Sequence, residues 1–380
     1  MEKIKICHVV NIITGKSDGV YTHLKMLFKY LDKNKYQQYL VFQGGSIIEE
    51  EAKNLGVIVS SLPSMKKKLS VNTFIDLYRF LKRNEISIIQ AHLIKPYIFV
   101  GIVNLFLRRK AIFNYNGSFI NVPMYYNVIE RTLYRILHYI VYAIRSYNIV
   151  LVPSKKSKEI LLEESHYFAP IEVYYNGCIL DENVTILDAQ INSKINQLAA
   201  NKYKIGIIGR FEPQKRVDLA IEVIRKLLLQ RSDAHFFFLG DGSLEEDIRQ
   251  QIITKQLTER VSMLGFVPNV KKYIGLFDIL LITSDWEGMP LIMWESMAKG
   301  VPIVATDVGG IREIIVEEEC GKVYERQNVQ QAVTCLNELL NNKLLRERMG
   351  ENGKKAIAEK YNEKEFSKRF DEIYNSVLHS

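Results

Sequence analysis

The chain has 380 residues, of which 47% are hydrophobic and 25% charged, and its formal net charge is +8. This composition excludes a disordered or fibrous chain, and the length suits two globular domains of about 180 residues each. The longest nearly unbroken apolar run, residues 97–107, is too short to span a bilayer, and the amino terminus shows no cleavable signal sequence.

The whole surplus of positive over negative charge lies in the amino half. Residues 1–190 contain 24 Lys and Arg against 16 Asp and Glu, whereas residues 191–380 contain 27 of each. Such a half favours a phosphate-bearing acceptor, an anionic membrane surface or a nucleic acid, with simple solubility as the alternative. No zinc, ribonucleoprotein or helix-turn-helix pattern accompanies the charge, so we expect no nucleic-acid partner.

The cysteines indicate the compartment. They are scattered without metal-ligand spacing, at Cys7, Cys178, Cys320 and Cys335. This usage predicts reduced thiols in a cytoplasmic protein, at the inner face of the membrane if the basic half binds anionic lipid.

Apolar strands alternate with amphipathic segments along both halves, which predicts parallel strands joined by helical crossovers. The strands predicted in the amino half are 4–10, 38–43, 86–92, 110–116, 148–154 and 171–177. Those predicted in the carboxyl half are 203–209, 235–240, 261–266, 278–284, 301–307 and 321–325. The result is an α/β protein with two doubly wound, Rossmann-like parallel-sheet domains.

Domain boundaries follow from a change in composition. The stretch 181–202 is polar, rich in Asn and weakly periodic, which is typical of a linker region. It separates a domain over 1–180 from a second over 203–361. The tail 362–380 is amphipathic and is predicted to form a terminal helix.

The amino half offers few groups for chemistry. Gly15 and Gly19 lie between the first strand and first helix, where a missing side chain lets backbone approach a ligand. His23, inside that helix, is predicted to be a surface or packing residue. His92 ends the third predicted strand, where a structural role and a sugar or acceptor contact both stay open.

Residues 131–145 form an amphipathic helix with an apolar stripe, made of Leu133, Ile136, Leu137, Ile140, Val141 and Ile144. Such a stripe is usually core packing. The alternative is a basic and aromatic rim, shared with Arg108, Arg109 and Lys110, that suits a lipid-linked acceptor at a membrane surface.

Two cations follow the first strand of the carboxyl half. Arg210 comes just after Gly209 at the end of this strand, and Lys215 precedes the next helix. The carboxyl edge of a doubly wound sheet is where such folds bind ligands, so both cations are expected to point toward a bound anion.

Two carboxylates surround the turn that opens a later helix. Glu287 lies on the turn and Glu295 in the helix, and a rise of about 1.5 Å per residue separates them by on the order of 10 Å. Pro290 suits the first helical position. The free amides at the helix start, those of Gly288, Met289 and Leu291, would face an anionic diphosphate. Sugar and ribose hydroxyls would occupy the carboxylates, which predicts a nucleotide-sugar site.

The run 287–313, EGMPLIMWESMAKGVPIVATDVGGIRE, resembles the donor-site signature of the retaining glycosyltransferases of family 4, with Ser296 where Ala is usual. Segments 209–224, 236–252 and 261–267 follow the same family order. The resemblance implies a GT-B architecture, with two domains facing a central cleft and the terminal helix crossing back onto the amino domain.

The resemblance also implies residue roles. Arg210 and Lys215 would grip the diphosphate, and the base would lie against backbone near Gly265 and Val267. Many family members have a donor-contacting His where Asn116 stands here, with Tyr115 and Asn114 as alternative polar groups. An amide hydrogen-bonds a sugar hydroxyl but takes no proton at neutral pH.

The expected activity is retaining, metal-independent transfer of a sugar from a nucleoside diphosphate sugar to a glycan or lipid-linked acceptor, in bacterial surface polysaccharide or glycoconjugate synthesis. The expected catalytic residues are Glu287, Arg210, Lys215 and Asn116, without metal or cofactor. Two alternatives are a sugar-nucleotide epimerase or phosphorylase on the same fold, and a non-catalytic partner subunit.

Overall fold

The computed structural model of the protein describes residues 2–11, 19–45, 48–66, 70–115, 128–164, 169–180 and 189–380. The chain divides into two compact units. The first comprises Met1–Asn176 together with Glu363–Ser380, and the second comprises Gly177–Asn362.

The first unit contains a seven-stranded parallel sheet. Its strands are β1 (Ile4–Val9), β2 (Tyr36–Phe42), β3 (Ile58–Ser61), β4 (Ile88–His92), β5 (Lys110–Asn114), β6 (Ile149–Val152) and β7 (Ile171–Val173). The helices between them are α1 (Gly19–Tyr30), α2 (Ile48–Asn54), α3 (Val71–Arg83), α4 (Ile94–Leu107), α5 (Val128–Ala143) and α6 (Lys155–Glu164). The strands lie in the order β3-β2-β1-β4-β5-β6-β7. All of them are parallel, but successive strands are added on one side of β1 up to β3 and on its other side from β4 onward, so the order reverses between β1 and β4.

The second unit repeats this topology with six parallel strands. They are β8 (Tyr203–Ile208), β9 (Ala234–Leu239), β10 (Val261–Gly265), β11 (Ile279–Ile282), β12 (Ile303–Thr306) and β13 (Gly321–Tyr324). The helices are α7 (Ala189–Leu198), α8 (Val217–Leu228), α9 (Glu245–Thr254), α10 (Leu291–Ala298), α11 (Ile311–Glu317), α12 (Val329–Asn341) and α13 (Lys343–Glu359). The order β10-β9-β8-β11-β12-β13 places the reversal between β8 and β11.

The predicted fold class, two doubly wound parallel sheets, is confirmed. The sequence missed β3, a four-residue edge strand with two exposed ends, because it is too short and too polar to show an apolar run. The apolar face of each sheet lies under its helices, since strands such as β9 and β11 are buried along their whole length. No helix in the described ranges is long and apolar enough to cross a membrane.

The predicted linker contains regular structure. Residues 181–188 lie outside the described ranges, but α7 belongs to the second unit and buries Ile195 completely, with Ala199 only 2% exposed. A linker prediction based on polar composition overlooked these two inward positions, which are spaced one helical turn apart.

The last helix, α14 (Glu363–His379), packs on the first unit. Its buried side includes Phe366, Phe370 and Tyr374, which are at most 4% exposed. Asp371 pairs with Lys35 at 2.7 Å and accepts a hydrogen bond from Tyr36 at 2.8 Å.

The stripe on α5 that the sequence predicted to be core is only partly buried. Val141 is 1% exposed, and Leu137 and Ile144 are half-buried. In contrast, Leu133 and Ile136 are 42% and 53% exposed, because the neighbouring α4 covers a narrower arc of the helix than the apolar pattern spans.

A chain of buried polar side chains crosses the first unit. The hydroxyl of Tyr374 donates to Gln90 Oε1 at 2.6 Å, and Gln90 Nε2 donates to Asn114 Oδ1 at 2.7 Å. Asn114 Nδ2 then lies 3.3 Å from His23 Nε2, and His23 Nδ1 lies 3.2 Å from Asn176 Oδ1. Because Asn114 donates to Nε2, the proton of His23 sits on Nδ1, and the ring is neutral.

Two further histidines lie beside this chain. His8 Nδ1 is 3.3 Å from His92 Nε2, and the rings of His23 and His92 are 5.6 Å apart. Burial lowers the pKa of His8 to about 3 and that of His23 to about 4, and it lowers the pKa of His92 well below its usual value. These three imidazoles are therefore neutral in the folded first unit.

We predict that the first unit loses stability in acid. An unfolded histidine titrates near pH 6.5, so below that pH the unfolded chain takes up protons that the folded unit refuses. The loss should be about 1.4 kcal/mol per pH unit for each such histidine. Hydrogen exchange of peptides from β1, β4 and β5, measured as pH falls, reports the free energy of unfolding of this unit. In His23→Gln, the slope of this free energy against pH should be smaller by the contribution of one histidine proton. A slope that is flat below pH 6.5 would contradict the prediction.

Candidate active site

The candidate site lies where β8 and β11 end, at the direction reversal of the second sheet. A cavity opens there beside the loops that follow both strands. It is lined by Ile207, Ile208, Gly209, Arg210, Phe211, Lys215, Val217, Leu281, Ile282, Thr283, Ser284 and Ile292. Both predicted cations are thus on the wall of one cavity, at the edge where doubly wound sheets bind ligands.

The structure brings Lys215 and Glu287 into contact. Lys215 Nζ lies 2.5 Å from Glu287 Oε1, and the hydroxyl of Ser284 donates to the same oxygen at 2.7 Å. The Glu287 side chain is only 7% exposed, so its carboxylate requires such partners. The sequence predicted both residues for the site but did not predict that they pair with each other.

Backbone and side-chain hydrogen bonds fasten the loop carrying Lys215 to the loop carrying Glu287. The amide of Asp285 donates to Gln214 O at 2.9 Å, and Gln214 Nε2 donates to Trp286 O at 2.8 Å. The hydroxyl of Thr283 donates to Lys215 O at 2.9 Å. The two loops therefore form one connected support for the ion pair.

Arg216 adds an ionic tie between the same loops. Its Nη1 lies 3.2 Å from both carboxylate oxygens of Asp285, and its Nε lies 3.0 Å from Asp218. Arg326 Nε also lies 3.5 Å from Asp285 Oδ1. Arg216 adopts a left-handed backbone with φ +48°, a conformation that costs free energy in a residue with a side chain. These contacts fix the residue next to Lys215.

Glycine permits the close approach that seats the Glu287 turn. A Cβ atom on Gly309 would lie 2.0 Å from Glu287 O, and its φ of +54° also favours glycine. The amide of Gly310 donates to Gly288 O at 3.0 Å. The loop after β12 thereby supports the turn, which explains the Gly-Gly pair in the sequence.

The helix after this turn begins one residue later than predicted. Pro290 has an extended backbone with φ −69° and ψ 131° and precedes α10, because the ring fixes φ but leaves ψ free. The amides of Gly288, Met289 and Leu291 donate no hydrogen bond to the described part of the chain. They remain available at the positive end of the helix dipole.

Glu295 lies in the second turn of α10 and is half-buried. Within the described ranges its carboxylate forms no hydrogen bond or ion pair. Burial raises its pKa to about 7, and the charge of Lys271 opposes this shift. The two carboxylates of the motif thus have different surroundings, since Glu287 is paired with an ammonium group and Glu295 is not.

Arg210 is exposed at the end of β8, and its side chain forms no ion pair with the described residues. Gly209 precedes it, and a Cβ atom on Gly240 would lie 1.9 Å from Gly209 O, so the loops after β8 and β9 touch. Gly265 ends β10 and Val267 follows it at the same edge, where Gly265 O accepts from the Gly240 amide at 2.8 Å.

The predicted amino-half residues are described only in part. Gly15 and Asn116 lie outside the described residues, and Gly19 is the first residue of α1. His92 is buried against His8, and Tyr115 is 8% exposed in the core of the first unit. Sequence reasoning missed the buried network itself. Polar residues in register on neighbouring strands, His8 with Gln90 and His92 with Asn114, would have been its signal.

Comparison with known proteins identifies the class. Residues 188–356 match the family model described as glycosyl transferases group 1, and residues 17–182 match the one described as glycosyltransferase family 4. With two parallel-sheet units of this topology, the chain is a glycosyltransferase of the GT-B architecture. It belongs to glycosyltransferase family 4.

Individual relatives agree with this assignment. The chain is 28% identical to an uncharacterized glycosyltransferase of Methanocaldococcus jannaschii, over 93% of this chain and 90% of the relative. It is 24% identical to the Escherichia coli UDP-Gal:alpha-D-GlcNAc-diphosphoundecaprenol alpha-1,3-galactosyltransferase, over 98% and 96% of the two chains. The Anabaena protein Alr3699/HepE, crystallised with UDP, shares the fold with a TM-score of 0.80 and 17% identity, covering 99% and 100%.

We predict that Arg216 and Asp285 position Lys215 and Glu287. Arg216→Lys or Asp285→Asn should lower kcat/KM for the donor about tenfold, since a misplaced catalytic group typically costs this much or more. The double variant should lose no more kcat/KM than the worse of the two single variants, because each substitution removes the same Arg216–Asp285 interaction. The control is Arg225→Lys, which alters an exposed pair with Glu222 on α8. The prediction would be wrong if the two single variants lost kcat/KM additively in the double variant, or if kcat/KM stayed unchanged.

We predict that Glu295 makes nucleotide affinity depend on pH. An ionised carboxylate is the better acceptor for ribose hydroxyls, and the ionised fraction falls as pH drops through about 7. Calorimetry should show weaker nucleoside diphosphate binding in mild acid. Glu295→Ala should weaken binding by about 1.5 to 3 kcal/mol. Glu295→Gln should abolish the pH dependence of the affinity, and the surface variant Glu222→Gln should retain it. If both Glu295 variants bind nucleoside diphosphate with unchanged affinity, Glu295 is not the acceptor for the ribose hydroxyls.

Proposed function

We propose that this glycosyltransferase is a retaining, metal-independent enzyme that moves a sugar from a nucleoside diphosphate sugar to a glycan or lipid-linked acceptor. Its place would be in bacterial surface polysaccharide or glycoconjugate synthesis, in the cytoplasm at the inner face of the membrane. The names of the relatives support the substrate classes, because the Escherichia coli relative is named for a UDP-sugar donor and a diphosphoundecaprenol-linked acceptor.

One observation carries the proposal: Lys215 and Arg210 line one cavity, and Lys215 holds Glu287 at its edge. A leaving diphosphate develops negative charge as the bond from sugar C1 to phosphate oxygen breaks. In this proposal the two cations and the free amides at the start of α10 stabilise that charge with the chain's own groups. This arrangement is why we propose chemistry without a metal or other cofactor.

The proposed transfer occurs on one face of the sugar. The C1–oxygen bond to the diphosphate breaks, and the acceptor hydroxyl oxygen forms its bond to C1 from the same side. The hydroxyl proton passes to the departing phosphate oxygen, which leaves as the nucleoside diphosphate. In this scheme Glu287 binds donor sugar hydroxyls once Lys215 turns to the phosphate, and Glu295 binds the ribose.

We predict that Lys215→Ala and Arg210→Ala each lower turnover by about 10² to 10³, since each removes a group aimed at transition-state charge. Thermal unfolding should change little in Arg210→Ala, whereas Lys215→Ala should also lower the stability of the second unit, because it leaves the Glu287 carboxylate without its cation. The assay is slow hydrolysis of a panel of nucleotide sugars, which needs no acceptor, and Arg225→Ala on α8 is the control for loss of a surface cation. Activity that survives the double variant Arg210→Ala/Lys215→Ala would exclude the phosphate-binding role and favour a different chemistry on this fold.

A further inference from the structure

Helix α5 presents an apolar stripe to solvent. Ile129, Leu133, Ile136 and Ile140 are spaced by four, three and four residues, which places them on one face. Their side chains are 81%, 42%, 53% and 47% exposed. The adjoining flank of the helix is packed, because Val141 is 1% exposed and a Cβ atom on Gly101 would lie 2.3 Å from Val141 Cγ1. The stripe is therefore the exposed face of a helix that packs on α4 through another face.

The end of α4 adds to this surface. Phe106 is 75% exposed there, and Leu105 is 41% exposed. Of the 19 large hydrophobic side chains that are exposed among the described residues, eight lie on α4 and α5. Such a concentration is unusual for the surface of a protein that binds nothing there.

The same segment holds most of the positive charge. Residues 94–147 contain seven Lys and Arg and one acidic residue, a net of +6 in a chain of +8. Arg108, Arg109 and Arg145 follow the ends of α4 and α5. The Asn104 side chain joins these ends, since its Nδ2 donates to Arg109 O at 3.0 Å and to Ser146 O at 2.9 Å.

We propose that the α4–α5 surface, formed by the stripe, Phe106 and the arginines at the helix ends, docks on an anionic lipid bilayer. A bilayer supplies apolar chains for the stripe and phosphate for the cations. A second copy of the chain fits less well, because two copies of a segment with a net charge of +6 repel each other. A nucleic acid would leave the apolar stripe exposed to water. The proposal rests on the acceptor side of the proposed function and specifies the surface it uses.

The test is sedimentation with vesicles of phosphatidylcholine alone or with phosphatidylglycerol added, at low and moderate salt. Binding should require the anionic lipid and weaken as salt rises. Leu133→Ser/Ile136→Ser/Ile140→Ser and Arg108→Gln/Arg109→Gln should each reduce the partition coefficient by about tenfold or more. The control Leu229→Ser/Leu344→Ser removes side chains that are 77% and 78% exposed on the second unit, and it should bind like the parent. Circular dichroism verifies that each variant folds.

Three results would overturn the proposal. They are equal sedimentation with both vesicle types, binding unaffected by either surface variant, and a concentration-dependent dimer in light scattering that the serine variant abolishes while vesicles stay unbound. Hydrolysis of soluble nucleotide sugar is measured in the same preparations and should be unchanged by the surface variants. Absent hydrolysis with intact vesicle binding would count against the proposed function and leave the surface assignment standing.

Discussion

The contact between Lys215 and Glu287 is the interaction on which the second unit's site depends. A carboxylate that is 7% exposed is unfavourable without a nearby positive charge, and Lys215 supplies it at 2.5 Å. The two residues are 72 positions apart, and only the adjacency of β8 and β11 brings their loops together. The sheet topology thus decides where the charges meet, and the charges in turn require both loops to keep one arrangement.

The ties around this pair explain why the loops keep that arrangement. Loops are usually the most variable part of a parallel-sheet protein, yet here hydrogen bonds of Gln214 and Thr283 cross from one loop to the other. Arg216 has an unfavourable left-handed backbone conformation, and its bonds to Asp285 offset the free-energy cost of that conformation. Because these ties hold the two loop backbones in place, pairing costs only the conformational entropy of the Lys215 and Glu287 side chains.

The two units use the same topology with opposite electrostatics. At the reversal of the second sheet stand charged groups, whereas at the corresponding reversal of the first, between β1 and β4, stand His8 and His92, both fully buried and neutral. Neutral rings suit this fully buried position, where a charge would lie unpaired. Among the described residues, neutral rings therefore lie at the reversal of the first sheet, and charged groups lie at the reversal of the second.

Sequence predicted those features that local pattern determines. Apolar runs gave twelve of the thirteen strands, since buried parallel strands are continuously hydrophobic, and motif order placed Glu287 and Lys215 at one sheet edge. Features that depend on what packs against an element were not predictable. Periodicity shows that Ile136 and Val141 lie on an apolar face of α5 but not that the neighbouring helix covers only Val141.

The same limit applies to Glu295. Its apolar sequence neighbours indicated a carboxylate in need of a partner. In the structure this half-buried group forms no ion pair with a described residue, and burial raises its pKa to about 7. Sequence alone assigned Glu287 and Glu295 equivalent chemistry as hydroxyl acceptors. The fold distinguishes them, because Lys215 reaches the first and no described cation reaches the second within ion-pair distance. One motif thus yields a carboxylate neutralised by the protein and another that burial makes sensitive to protonation near neutral pH, and this difference arises from tertiary structure.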